Sequence, residues 1–201
     1  DRYELDEAIK NLEKALELNP DCYNAYSLLM GHHIAAGDQV MLPEEKRDIK
    51  LGMKYSDELI RIRGDHGFPY HFKANVYRQL GEFEKAKPLY EKSIQKRKGL
   101  SSEATAYLVS GHNFMFSGDL KTARERYAKA IELTKTANSW FFLNQYLTYS
   151  YIFDNDYIGA IDNISNVERQ LDERSFDEIT LLRIKGQASW QKMICYAHNQ
   201  M

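Results

Sequence analysis

Long apolar runs, an excess of one charge, cysteine, proline and glycine are all scarce in this chain. No stretch approaches the ~18 consecutive apolar residues that a membrane-spanning helix needs, so no membrane role is expected. Lys and Arg number 27 against 29 Asp and Glu, a net charge of −2. That balance supplies no cationic field for a nucleic-acid backbone. The one basic cluster, Lys92 followed by Lys96-Arg97-Lys98, reads as a cationic helix C-terminus favoured by the helix dipole. With four prolines and eleven glycines in 201 residues, most of them at turn positions, linkers and low-complexity tracts are not expected. The two cysteines, Cys22 and Cys195, lie too far apart in a stack of helices to be bridged. Reading both as reduced packing residues slightly favours a cytoplasmic compartment.

Chemistry-bearing motifs are equally scarce. There is no phosphate loop, nucleophile elbow, Cys-x-x-Cys or paired-acid motif. His32 and His33 are adjacent on a helix and point about 100° apart, a poor geometry for sharing one metal. Asp154-Asn155-Asp156 begins like a calcium loop, but Gly159 and its successors do not supply the other ligands. Neither an enzyme, a cofactor nor a metal is expected.

What is present is helical periodicity. From Tyr107 to Glu132 the chain reads Tyr107, Gly111, Phe114, Gly118-Asp119-Leu120, Ala123, Tyr127, Ala130. Large and small residues three or four apart share one helical face, and the pattern restarts after Gly118-Asp119. Two amphipathic helices joined by a Gly turn follow. The small residues let two antiparallel backbones approach while Phe114 and Tyr127 fill the space between them.

The rest of the chain repeats this unit. A first helix over Glu4–Leu18 ends at Asn19-Pro20-Asp21, because Pro20 cannot continue it and restricts Asn19. Tyr23–Ala36 follows, then an insertion around residues 38–48. Pro43-Glu44-Glu45 resembles a helix start, which predicts a long helix from Pro43 to Arg63. Further helices are expected over Pro69–Leu80, Glu84–Lys98, Asn138–Phe153, Asp156–Leu171 and about Ser175–Ala197. Trp140, Phe141 and Phe142 form either a packing cluster or an exposed patch at a helix start. Ala8, Gly52, Ala86, Ala123 and Ala160 occupy one role at spacings of 44, 34, 37 and 37. Gly37, Gly81, Gly118 and Asn155 occupy another at 44, 37 and 37. A fixed period near 34 residues with no β-type alternation predicts an all-α solenoid of antiparallel helix pairs. Residues 1–201 read as a single such domain of about five repeats, with a half-repeat at each end. Those half-repeats suggest a piece of a larger parent.

The segment "LDEAIKNLEKALELNPD" resembles the second helix of a tetratricopeptide repeat, and Tyr107, Ser110, Gly111 and Phe114 resemble the family's first-helix series. Tyr70, Lys73, Ala74 and Tyr77 match less closely, and Asn144, Leu147, Thr148 and Tyr151 match in part. The resemblance implies a right-handed superhelix whose first helices line a concave groove that holds a peptide or a partner's segment. By helical offset, the groove residues would be His71, Asn75, Arg78 and Gln79, then Leu108, His112 and Met115, then Gln145 and Tyr149. Aromatics mixed with hydrogen-bonding groups suit such a surface. Where chaperone-binding members place a carboxylate clamp, only Asn75 fits, so no subfamily is assigned. Protein–protein interaction is the expected function; the alternative is a regulatory or sensor segment that binds a small signal or an effector domain. The final helix carries Ile179, Leu182, Ile184, Trp190 and Ile194, which are expected to lie uncovered and to permit end-to-end self-association.

Overall fold

The computed structural model describes residues 2–34, 43 and 46–199. Those residues form ten α-helices and no strand, divided into two compact units, 1–100 and 101–201. Unit 1 holds α1 (Arg2–Leu18), α2 (Tyr23–His33), α3 (Ile49–Arg63), α4 (Phe68–Gln79) and α5 (Phe83–Arg97). Unit 2 holds α6 (Glu103–Phe116), α7 (Leu120–Leu133), α8 (Ala137–Phe153), α9 (Tyr157–Arg169) and α10 (Glu178–Asn199). Within each unit every helix packs on its neighbours in sequence, the arrangement of a repeat array.

The Gly-Asp turns end one helix and begin the next. At the end of α6, Asp119 N donates to Phe114 O (2.9 Å) and Gly118 N to Met115 O (3.2 Å). This double closure requires a left-handed residue, and Gly118 supplies it at φ 86°. The Asp119 side chain then accepts from Thr122 N, capping α7. Asn155 plays the same part after α8 at φ 57°, a conformation Asn tolerates, and Asp156 caps α9 through Gly159 N.

The periodic small residues are where helix pairs touch. Gly52 is buried, and Ala86, Ala123 and Ala160 are wholly so. A Cβ on Gly111 would stand 2.5 Å from Tyr127 Cε1, so α6 and α7 meet at van der Waals limits there. The next pair replaces that steric fit with polar contacts. Asn163 Nδ2 donates to Thr148 Oγ1 (2.9 Å) and Asn144 O (3.3 Å). Unit 1 has a core of Met30, Ile34, Leu59 and Val76. In unit 2, Phe114, Met115, Ala123 and Tyr127 form a first core, and Trp140, Val167, Leu171 and Ile184 a second.

Two expectations are corrected. The helix predicted from Pro43 begins at Ile49, because Asp48 caps it by accepting from Leu51 N (3.0 Å). Asp48 N in turn donates to Nδ1 of the buried His33 (3.0 Å), so the start of α3 is tied to the end of α2. Most of the expected insertion, residues 38–42 and 44–45, lies outside the described residues, as do Ala35 and Ala36. On the last helix, Ile184 is 1 % exposed, covered by the core it shares with Trp140, and Ile194 is half-buried. Ile179, Leu182 and Trp190 are exposed as expected. Both cysteines are free, with Cys195 buried.

Candidate functional site between α8 and α10

The two aromatics that follow Trp140 divide between core and surface. Trp140 is buried in the second core of unit 2, under the Arg174 guanidinium at 3.8 Å from its ring centroid. Phe141 packs at the edge of that core, whereas Phe142 is 48 % exposed. One turn on, Phe142 meets Tyr146 edge-on with centroids 4.9 Å apart, and Tyr146 meets His112 of α6 at 4.4 Å. His112 Nδ1 and Tyr127 Oη are 2.8 Å apart, which fixes the imidazole against the α6–α7 pair. The result is a row of rings, Phe142, Tyr146 and His112, running from α8 onto α6.

Beside that row, α8 and α10 enclose a cleft of about 240 Å³ lined by Asn138, Phe141, Phe142, Gln145, Thr180, Arg183, Ile184 and Gln187. The helical period accounts for the lining: Asn138, Phe141, Phe142 and Gln145 share one face of α8, and Thr180, Arg183, Ile184 and Gln187 share one face of α10. Aromatic rings and an isoleucine provide the apolar walls, while amides, a hydroxyl and one guanidinium supply the polar groups. Gln145 Nε2 is buried and has no hydrogen-bond partner. Leaving a buried donor unmatched costs roughly 1–3 kcal/mol, so this amide is ready to donate to an incoming carbonyl. No acid lines the cleft, and Arg183 gives it a positive bias.

The residues expected to line a groove fall in both units. In unit 1, His71 and Asn75 are buried. Asn75 Oδ1 accepts from Tyr90 Oη (2.7 Å), joining α4 to α5. His71 Nδ1 lies 3.2 Å from the Arg97 Nη1 atom, and its ring stacks on Phe68. Burial lowers Arg97 to about 10 and raises Tyr90 to about 12. Arg78 is half-buried and Gln79 exposed. In unit 2, Met115 is buried in the first core with Leu108 packed at its edge. Tyr149 is half-buried and stacks with Phe153 at 6.4 Å. Gln145 alone of the nine reaches the cleft. Thr180, Arg183 and Gln187 were not foreseen. Gly186, small and mid-helix, was the signal in the sequence that could have set the register of α10.

Among the described residues, no helix is long and apolar enough to cross a membrane, and no group of three or more His, Cys, Asp or Glu could hold a metal ion.

Comparison with known proteins agrees with this architecture. The tetratricopeptide repeat model matches residues 4–22 and 69–95. No curated protein matches the chain. Among solved structures, PilF of Pseudomonas aeruginosa is similar at a TM-score of 0.65 and 12 % identity, covering 98 % of this chain and 81 % of that one. MamA (41-end) from Desulfovibrio magneticus RS-1 is similar at 0.62 and 17 %, covering 83 % and 87 %. YrrB, described as having an unusual peptide-binding site, is similar at 0.57 and 15 %, covering 94 % and 84 %. At these identities the likeness is one of fold.

Proposed function

Because the chain is a tetratricopeptide-repeat protein with no subfamily assigned, we propose that it is a non-catalytic scaffold that binds a short segment of a partner protein, and that the α8–α10 cleft receives it. The unmatched Gln145 Nε2, held against Phe141 and Phe142, carries the reading. A bound backbone carbonyl would satisfy that donor, and an apolar side chain would cover the rings. The volume, about 240 Å³, lies below the ~300–1,000 Å³ usual for small-molecule pockets. It suits one or two side chains of an extended segment. Arg183 would select a segment with a carboxylate beside its apolar anchor. Tyr149, His112 and Leu108 belong to the same proposal as the continuation of the surface onto α8 and α6, with Met115 buried beneath it. His71, Asn75, Arg78 and Gln79 are its counterpart in unit 1, where Gln79 supplies the exposed edge. Such a scaffold also gains from joining its ends, and the exposed apolar side of α10 supports end-to-end association.

A peptide array probed with the full chain, followed by fluorescence-polarisation titration, tests the reading. Segments pairing a bulky apolar residue with an acid should be enriched. Phe142→Ala and Gln145→Ala should each weaken binding by about tenfold, equivalent to ~1.4 kcal/mol. Arg183→Glu should remove the preference for the acid. Binding indifferent to all three changes would refute the site. A chain that captures no peptide but is stabilised by a small metabolite would favour the regulatory or sensor reading instead.

A further inference from the structure

Helix α8 is apolar on two sides, and the core takes up one of them. Trp140, Leu143, Asn144, Thr148 and Ser150 are buried. On the other side Phe142, Tyr146, Tyr149 and Phe153 stand at i, i+4, i+7 and i+11, within about 60° of one another around the helix axis. Phe142 and Phe153 are 48 and 60 % exposed, and the two tyrosines between them are half-buried. Phe142 meets Tyr146 edge-on, and the rings of Tyr149 and Phe153 stack with planes 21° apart. At 1.5 Å of rise per residue the stripe is about 16.5 Å long. An aromatic strip of that extent facing solvent marks an interaction surface.

The stripe begins at the α8–α10 cleft, because Phe142 belongs to both. The polar groups there discriminate between the backbones it could receive. Gln145 Nε2 is a buried donor with no hydrogen-bond partner, Arg183 is a further donor, and no acid lines the cleft. A helical segment uses its carbonyls within itself and would leave the Gln145 amide unmatched. A β-like segment brings free carbonyls, but also N–H groups that need acceptors of their own. Polyproline II has no internal hydrogen bonds, and each proline offers a carbonyl without an N–H. Its rise of about 3.1 Å per residue carries six residues over about 15.5 Å, close to the length of the stripe. Grooves lined by aromatic rings are the surfaces on which such segments dock.

We propose that the partner segment leaves the cleft along α8 as a proline-rich polyproline II stretch. Its acid and apolar anchor occupy the cleft, and its pyrrolidine rings lie on Phe142, Tyr146, Tyr149 and Phe153. The proposal rests on the cleft reading above and names the class of segment that the cleft receives.

Fluorescence polarisation with the full chain and three labelled peptides tests it. Each peptide joins Asp-Phe to a six-residue tail of proline, of alternating glycine and serine, or of alanine. Both orders of anchor and tail are made, since the stripe accepts either chain direction. In one order the proline peptide should bind roughly tenfold more tightly than the glycine–serine peptide, because its tail loses less freedom on binding. Phe153→Ala, with its fold checked by far-UV circular dichroism, should cut that ratio to about threefold or less, and Phe153→Tyr should retain it. Equal binding of the proline and glycine–serine peptides in both orders would overturn the proposal and leave the cleft reading in place, as would a ratio unmoved by Phe153→Ala. Tightest binding by the alanine peptide would also overturn it and assign the stripe to a helix. Binding of none of the peptides would overturn the cleft reading and this proposal with it.

Discussion

The same substitution should stabilise the chain at one glycine and not at another. Alanine is favoured over glycine inside a helix by about 0.8–1.0 kcal/mol, and this gain applies equally to Gly111→Ala and Gly186→Ala. The surroundings differ. At Gly111 the new Cβ would stand 2.5, 2.8 and 3.1 Å from Cε1, Cδ1 and Cζ of Tyr127, where carbon atoms prefer ~3.5–4.0 Å. The ring cannot simply swing aside. Tyr127 is wholly buried, its hydroxyl is 2.8 Å from His112 Nδ1, and Tyr146 lies alongside with centroids 5.9 Å apart. The helices must separate by about 1 Å, and overpacking of this kind typically costs ~1–3 kcal/mol. Gly111→Ala is therefore expected to be neutral to destabilising by about 2 kcal/mol. Gly186→Ala, in open space, should stabilise by up to about 1 kcal/mol. The propensity gain cancels in the comparison, so the difference isolates the packing cost. Urea unfolding followed by circular dichroism, at protein concentrations too low for self-association, would measure both midpoints. Equal stabilisation by the two changes would refute the close approach of α6 and α7 on which the reading of the repeat rests.

Three other perturbations follow from named contacts. Tyr90→Phe removes the buried donor to Asn75 Oδ1 and should cost roughly 1–3 kcal/mol, because the amide oxygen stays buried; a loss below the error of the unfolding midpoint would contradict that bond. Asp48→Ala removes the cap on α3, for an expected loss of ~0.5–2 kcal/mol. Its local signature is faster amide exchange at Leu51 than at mid-helix positions. Burial, the largest cause, holds His33 below its ordinary value of 6.5, against the opposing pull of Asp48. As pH falls past 6.5, the unfolded chain therefore takes up the proton first. The stability His33 contributes is complete above that value and is lost below it, until the folded ring is itself protonated. Protonation at Nδ1 also breaks the bond from Asp48 N. Unfolding midpoints measured on acidification should fall more steeply for the wild type than for His33→Asn; parallel profiles would exclude this residue as the cause.

The turns were the most legible part of the fold, because one dipeptide serves two helix ends. A left-handed residue closes the first helix and the aspartate after it caps the second, so Gly118-Asp119 and Asn155-Asp156 announce themselves from local chemistry alone. The alanine series was legible for a different reason: a side chain at helix contact must be small, whatever the neighbouring helix carries. The start of α3 was hidden because two cues competed. Pro43 with two acids resembles a helix start, but Asp48 supplies a cap and also meets His33, a tertiary contact that no local pattern contains.

The candidate site was harder to read, because helical offset assigns a face without revealing the neighbour's chemistry. Polar residues three or four apart on α4 look solvent-facing, yet Asn75 and His71 are buried. Asn75 can be buried because Tyr90 brings a hydroxyl to it, and His71 because Phe68 stacks on its ring while Arg97 reaches its Nδ1. Interior polarity of this kind is stable only when both partners are present, and the two members of such a pair sit on different helices. On α10 the difficulty was register. That helix runs to Asn199, past Met193, the position equivalent to Gly118, so it has no Gly-Asp turn to mark its place in the repeat. Gly186 marks it instead, and only by comparison with Gly111. Once that equivalence is drawn, one register places Arg183 and Gln187 toward the α8 cleft and Leu182 and Gly186 on the exposed side away from the buried core of α10. One residue shift along α10 would exchange these roles, so the peptide-binding variants and Gly186→Ala test the same assignment from two sides.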